Sequence, residues 1–258
     1  MAIEIKSSVE IELLRQANAI VVAVHREIAG AIRPGVSTLD LDRIAARVIA
    51  LHRGAESAFR GYNGYPAVIC ASIDEEVVHG IPSARRFLQE GRIIAVDVGV
   101  RWRGFIGDAA VTYAVGRIDD AARRLLVATR ASLFAGIERA RIGNRLSDIG
   151  HAVESLVVPL GYSVVTEYVG HGVGRALHEE PQVPNFGRPG LGPRLVAGMT
   201  LAIEPMVNEG TSETRVLEDR WTVVTKDGRR SAHFEHSVAV TDDGPLILSD
   251  GLPDGLGG

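Results

Sequence analysis

Residues 93–115, IIAVDVGVRWRGFIGDAAVTYAV, set the tightest limit on how this chain can fold. Two apolar runs, Ile93 to Val100 and Phe105 to Val115, flank a tight turn, which predicts a β-hairpin. Each run carries one aspartate, Asp97 and Asp108. With Trp102 and Arg103 as the two turn residues, Asp97 lies directly opposite Asp108. Opposed side chains stand about 5 Å apart on one face. Two carboxylates that close repel each other unless one is protonated or a cation lies between them. The apolar neighbours Val96, Val98, Ala110 and Val111 raise the cost of leaving both charges bare. A bound divalent cation resolves the conflict. The competing reading is a register slip that leaves one aspartate on a loop.

Two further acids sit in apolar strand patterns. Glu204 lies within LAIEPM, and Glu235 lies within HFEHS at the start of the apolar run Val238-Ala239-Val240. A lone glutamate in a strand usually faces solvent, but two of them alongside an aspartate pair suggest a shared cation site. Two divalent ions would balance the four carboxylates, and histidine could complete the set without adding charge. Oxygen and imidazole donors without thiolate fit manganese, cobalt, iron or zinc in a reactive site better than a structural zinc. A metal pair lowers the pKa of water and clamps a tetrahedral intermediate, which points to hydrolysis of an amide or a phosphoester.

Histidines are concentrated in GHGVGRALHEEP, Gly170 to Pro181. His171 and His178 stand seven residues apart, and the H-E-x-x-H pattern of a zinc peptidase helix is absent. Any metal bound here takes its other ligands from elsewhere in the chain. Seven residues align on a helix and oppose on a strand, and the glycines leave both geometries open. His25, His52 and His151 fall in helical patterns and read as surface or packing residues. His233 and His236 flank Glu235 and read as structural, with a supporting role beside the metal ligands as the alternative. Lys226, Arg229 and Arg230 surround a turn and read as solvated surface.

The 258 residues are 46% apolar and 23% charged, enough for one large core or two small ones. A net charge of −4 gives no electrostatic support for nucleic-acid binding. A single cysteine, Cys70, excludes a disulfide framework and favours a reducing compartment. The N-terminus lacks the apolar core of a signal peptide, and no run reaches the length of a membrane span. These features predict a soluble cytoplasmic protein.

Helices are expected from Ser7 to Ile28, Ser37 to His52, Asp119 to Ala135 and Arg145 to Val158. Beyond the hairpin, strands are expected at Ala67 to Ser72, Tyr162 to Tyr168, Met199 to Val207, Trp221 to Thr225 and Ala232 to Thr241. Helices precede strands twice over, which predicts an α+β fold of two pseudo-symmetric halves around a central antiparallel sheet. That segregation argues against a doubly wound dinucleotide-binding fold. One domain over 1–258 is expected, with residues 1–7 and 251–258 frayed.

Five stretches carry a resemblance: ASIDEEVVHGIP, DVGVRWRGFIGDAAVTYAVG, YVGHGVGRALHEEPQVPNF, GMTLAIEPMV and DRWTVVTKDGRRSAHFEHSVAVT. In order and spacing, from about residue 8 to 250, the chain resembles the bacterial type I methionine aminopeptidases, which have the pita-bread fold. The resemblance implies two divalent metals (cobalt, manganese, iron or zinc) on Asp97, Asp108, His171, Glu204 and Glu235, with Asp108 and Glu235 bridging. It implies that His79 and His178 hydrogen-bond the substrate and that Glu204 also shuttles the proton. It places the methionine side chain among Phe59, Tyr62, Tyr65, Cys70, Leu177 and Trp221. Thioethers pack well on such aromatic and soft apolar walls.

The implied substrates are the N-termini of nascent polypeptides near the ribosome, with a small second residue. No direct nucleic-acid or membrane contact is implied, and the chain is expected to act as a monomer. Three departures stand out: Leu177 and Asn63 where some relatives have phenylalanine and histidine, and Asp74 in place of an asparagine near a monovalent-cation site. The nearest alternative is a proline-specific pita-bread peptidase, although those usually carry a large N-terminal domain with no counterpart here. A non-catalytic pita-bread protein-binding module is the second alternative, but such modules have lost ligands that this chain keeps.

Overall fold

Helix α1 (Ser8–Ala31) begins where Ser7 and Glu10 exchange the reciprocal bonds of a capping box, and Ser37 and Asp40 start α2 (Thr38–Ala50) in the same way. Along α1, Leu14, Ala17, Val21, Val24 and Ile28 recur at helical spacing and are fully buried. That face packs on the hairpin strands Ile93–Trp102 and Phe105–Ala114. Helices α3 (Asp120–Ile137) and α4 (Leu146–Val157) pack on each other, and α3 lies against the strands Thr200–Ile203, Met206–Asn208 and Ser231–His233. The computed structural model describes residues 2–256, and every strand pairing in it is antiparallel. Each helix pair thus backs its own set of strands, the two-halved α+β arrangement expected from the order of elements.

The hairpin register differs from the expected one. Trp102 pairs with Phe105, so the turn residues are Arg103 and Gly104, both left-handed at φ 49° and 81°. A two-residue turn of that kind needs positive φ at both positions, and glycine at 104 adopts it freely. Asp97 therefore faces Ala110, and Asp108 faces Gly99. The aspartates are diagonal neighbours on one face of the sheet rather than directly opposed, still within reach of a shared ligand.

Two expected strands are each split at an acid. Met199 to Val207 becomes Thr200–Ile203 and Met206–Asn208, and Ala232 to Thr241 becomes Ser231–His233 and His236–Thr241. Thr200–Ile203 and His236–Thr241 belong to a five-stranded sheet that also holds Gly170–Gly172, Glu179–Val183 and Gly244–Ile247. Met206–Asn208 and Ser231–His233 belong to a three-stranded sheet with Ser163–Val164. The break after Ile203 coincides with Pro205, which has no N–H to give a ladder. Glu204 and Glu235 thus sit where the chain crosses between sheets, free of strand alternation. The Ala67, Tyr162 and Trp221 strands are also shorter than expected, at Cys70–Ile73, Ser163–Val164 and Val223–Thr225.

The chain ends make specific contacts where fraying is expected. Lys6 is buried, with Nζ 2.6 Å from Glu179. Gly255 accepts from the Ala114 N–H at 2.8 Å, and Arg26 donates to Gly251. Met1, Gly257 and Gly258 lie outside the described residues.

Gly107 is the tightest joint between α1 and the hairpin. A Cβ there would stand 2.5 Å from the Asn18 nitrogen and 2.6 Å from the Ala17 carbonyl carbon. Next to it, the Asp108 N–H donates to Asn18 Oδ1 at 3.2 Å. Gly107→Ala should therefore push α1 off the strand, at a cost of about 1–3 kcal/mol. Urea denaturation checks this; an unchanged midpoint would mean the helix yields freely.

Candidate active site

One cavity of about 220 Å³ is lined by Asp97, Asp108, His171, Glu204 and Glu235, together with His79 and His178. Backbone ties between the sheets bring them together. The Glu235 N–H donates to the Ala110 carbonyl at 2.8 Å, and Ser237 Oγ donates to the Asp108 carbonyl at 2.7 Å. His171 lies beside Ala202 across the Gly170–Gly172 and Thr200–Ile203 strands. Asn185 Nδ2 donates to the Glu204 carbonyl at 3.0 Å, just where the strand breaks.

One atom each from Asp108, His171 and Glu235 lies within 4.8 Å of the others, a spacing that fits a metal ion. His171 Nδ1 stands 3.0 Å from the Gly172 carbonyl. A carbonyl can only accept, so Nδ1 carries the proton and Nε2 presents its lone pair. That nitrogen lies 3.3 Å from Glu204 Oε1 and 3.8 Å from Asp108 Oδ2. Asp97 Oδ1, Asp108 Oδ1 and Glu235 Oε1 are buried with no hydrogen-bond partner. Buried carboxylate oxygens without donors are costly, and cations are their natural partners. The donor set therefore fits divalent metal.

Electrostatics agree. Burial raises the carboxyls of Asp108 and Glu235 well above the usual range, and the neighbouring carboxylates push them further. Burial raises Asp97 to about 7, opposed in part by His233. Glu204 behaves in the opposite way. Burial alone would raise it, but His233, His171 and His178 outweigh that and hold it below its ordinary value. A carboxylate kept ionised among others pushed toward neutrality is suited to taking up a proton.

Of the two roles the sequence leaves open to His233, the supporting one fits its place: it is buried on the cavity wall with Nε2 3.3 Å from Glu204 Oε2. Through this contact His233 helps to lower the pKa of the Glu204 carboxyl. Its only signal in the sequence was its place two residues before Glu235. His236 is packed away from the cavity and bonds Ser249 at 2.7 Å. His25 is likewise core, between Tyr113 and the Ala109 carbonyl.

His79 holds a left-handed backbone at φ 62°, a conformation that costs a non-glycine residue about 1–3 kcal/mol and clusters at functional sites. Its ring sits edge-on to both Tyr168 and Trp221. Burial lowers the pKa of His79. Burial, then the neighbouring His171, lowers His178 to about 4, so the latter ring is neutral at pH 7.

Beside the acids, Phe59, Tyr65, Cys70 and Leu177 form a separate small apolar cluster with Trp221 against it. Burial raises the Cys70 thiol well above its ordinary pKa, so it serves as an apolar wall. Phe59 fits because Gly99 has no Cβ; one would overlap its ring. Tyr62 stands apart from this cluster, 37% exposed at the rim. Asn63 also lines the cavity. Asp74 is buried and engaged by Arg92 at 2.6 Å and by the Ile93 N–H at 3.0 Å.

Residues 12–242 match the pattern of metallopeptidase family M24. Fold, donor set and family pattern together define a metal-dependent peptidase of pita-bread architecture. A methionine aminopeptidase from Clostridium acetobutylicum is 52% identical over 245 residues, covering 95% of this chain and 98% of that protein. Methionine aminopeptidase 1 of Bacillus subtilis is 50% identical over 244 residues, covering 95% and 98%. The crystal structure of a methionine aminopeptidase from Thermotoga maritima superimposes with a TM-score of 0.94 at 45% identity, covering 96% of this chain and 99% of that one. The chain belongs to metallopeptidase family M24, among its bacterial type I methionine aminopeptidases. No helix among the described residues is long and apolar enough to cross a membrane.

Proposed function

We propose that this methionine aminopeptidase works as a single catalytic domain with a dinuclear centre, on nascent polypeptides whose second residue is small. The carrying observation is the convergence of four carboxylates and His171 on one cavity, three of the acids with buried, unpartnered oxygens. Asp97, Asp108, His171, Glu204 and Glu235 would hold two divalent ions, each cobalt, manganese, iron or zinc. Bound there, the metals would polarise the scissile carbonyl and make water a nucleophile near neutral pH.

The chain's own groups supply the rest. Glu204 accepts the proton of the attacking water and passes it to the leaving amine, a role its ionised state suits. His178 donates a hydrogen bond to the carbonyl oxygen as negative charge develops on it. His79, fixed between Tyr168 and Trp221, steadies the scissile amide. Phe59, Tyr65, Cys70, Leu177 and Trp221 enclose the methionine side chain, and Tyr62 covers it at the rim. The setting we propose is cytoplasmic and near the ribosome, with the enzyme monomeric.

Selectivity tests this reading. Met-Ala-Ser should exceed both Leu-Ala-Ser and Met-Lys-Ser in kcat/KM by at least about tenfold, the scale on which an apolar pocket discriminates. Equal values for all three would refute the pocket and the small-second-residue preference together. Cleavage of X-Pro peptides in preference to Met-Ala-Ser would favour the proline-specific alternative.

A further inference from the structure

We infer that Tyr62 is a positioning residue that holds His178 in the tautomer carrying its proton on Nε2. The inference rests on the reading of His178 as the donor to the carbonyl oxygen. Tyr62 Oη lies 2.8 Å from His178 Nδ1, and the two rings stand 5.4 Å apart at 44°. Among the described residues this is the one hydrogen bond of the Tyr62 hydroxyl, and His178 Nε2 has no protein partner. The imidazole also meets the His171 ring, 4.3 Å between centroids and tilted by 65°.

A neutral imidazole carries one proton, so the two nitrogens cannot both donate. If Nδ1 held it, Nε2 would present a lone pair to the substrate oxygen and repel it. A phenol hydroxyl can donate or accept, so it suits either form. With the substrate carbonyl, which only accepts, at Nε2, the Tyr62 hydroxyl donates to Nδ1 and holds the form that leaves Nε2–H for the cavity. The hydrogen bond on one nitrogen thus sets the chemistry of the other.

The backbone is wound to deliver this hydroxyl. Gly61, Asn63 and Gly64 are left-handed at φ 85°, 48° and 85°. The Tyr62 N–H donates to the Phe59 carbonyl, and the Tyr65 N–H donates back to Tyr62, both at 2.9 Å. Ser57 Oγ accepts from the N–H groups of Phe59 and Arg60 and anchors the entry. The turn lifts Tyr62 out of the apolar cluster that holds Phe59 and Tyr65 and sets it over His178. A residue needed only to line an apolar wall would not require its hydroxyl here.

The test is a double-mutant cycle on the metal-loaded enzyme with Met-Ala-Ser. Tyr62→Phe should lower kcat about tenfold, the lower end of what losing a partner that orients a histidine costs, with KM little changed. In a His178→Ala background the same substitution should cost nothing further. Nitrogen NMR of histidine-labelled, zinc-loaded enzyme should show His178 protonated at Nε2 in the parent and a tautomer mixture in Tyr62→Phe. Impaired His178→Ala beside an unimpaired Tyr62→Phe overturns the inference alone. So does an equal Tyr62→Phe loss in both backgrounds, or a parent ring protonated at Nδ1. Wild-type kcat in His178→Ala overturns the donor reading itself, and the inference with it.

Discussion

Exhaustive chelation is expected to abolish methionine release, and returning a divalent metal should restore it. The chain's own groups offer one ionised carboxylate and hydrogen-bond donors, but nothing that makes water nucleophilic at neutral pH. Metal removal should also make stability depend on pH in a particular direction. Asp97 is raised to about 7 in the folded metal-free protein, and Asp108 and Glu235 are raised well above their ordinary values, against about 4 for unfolded carboxyls. Each of these three carboxyls therefore binds more protons folded than unfolded between those limits, whereas buried His25, His178 and His236, held at about 4, bind fewer with or without metal. The stability these three carboxyls contribute is greatest near the lower limit and is lost as pH rises through about 7. Glu204 is shifted the other way, so its contribution is gained as pH rises toward its ordinary value and is not lost through about 7. Metal replaces those protons, so the loaded enzyme should show little of the decline. At a thousand times its Kd, a metal that binds only the folded state stabilises it by roughly 4 kcal/mol. Calorimetry at pH 5 and 7.5, with and without metal, measures this. Verified metal-free enzyme with full turnover, or a metal-induced rise in Tm no larger at pH 7.5 than at pH 5, contradicts the assignment.

The acids were legible because carboxylates inside apolar strand patterns violate burial rules that hold almost everywhere else. Even so, the route through the hairpin was wrong in detail. Arg103-Gly104 and Trp102-Arg103 are adjacent candidates for a two-residue turn, and only the positive φ at both Arg103 and Gly104 separates them. Moving the turn by one residue shifts the pairing by two, which keeps both aspartates on one face. The functional conclusion survived for that reason. Glu204 and Glu235 were placed in continuous strands because apolar alternation runs through both breaks. What interrupts them is the crossing between two sheets, a long-range event that local pattern cannot report. The role of His233 stays open in the sequence for a related reason. Its neighbour in function is Glu204, twenty-nine positions away, and only the pairing of Met206 with His233 brings the two segments together. Tyr62 was grouped with the apolar wall because an aromatic residue in GYNGYP says nothing about where its hydroxyl points.

His171 and His178 share the segment GHGVGRALHEEP, and their substitution should separate metal binding from catalysis. His171 Nδ1 is committed to the Gly172 carbonyl, which turns the lone pair of Nε2 toward Glu204 and Asp108. His171→Ala removes a ligand atom, so metal affinity should fall by more than the 10–100-fold that loss of a mere supporting partner costs. Excess metal should then recover part of the activity. His178 touches the ring of His171, and its Nδ1 is engaged by the Tyr62 hydroxyl. His178→Ala should leave metal affinity near that of the parent and lower kcat by about 10²–10³, the usual loss on deleting one donor to a developing oxyanion. KM should change less, because the donor acts mainly on charge that appears in the transition state. Added cation can refill a weakened site but cannot replace a missing N–H, so excess metal should not rescue this variant. Manganese titration by calorimetry, with turnover assayed at each metal concentration, distinguishes the two. If His178→Ala loses metal as severely as His171→Ala, or recovers with excess metal, then the donor role belongs to another residue and the separation of ligand from donor within this loop is wrong.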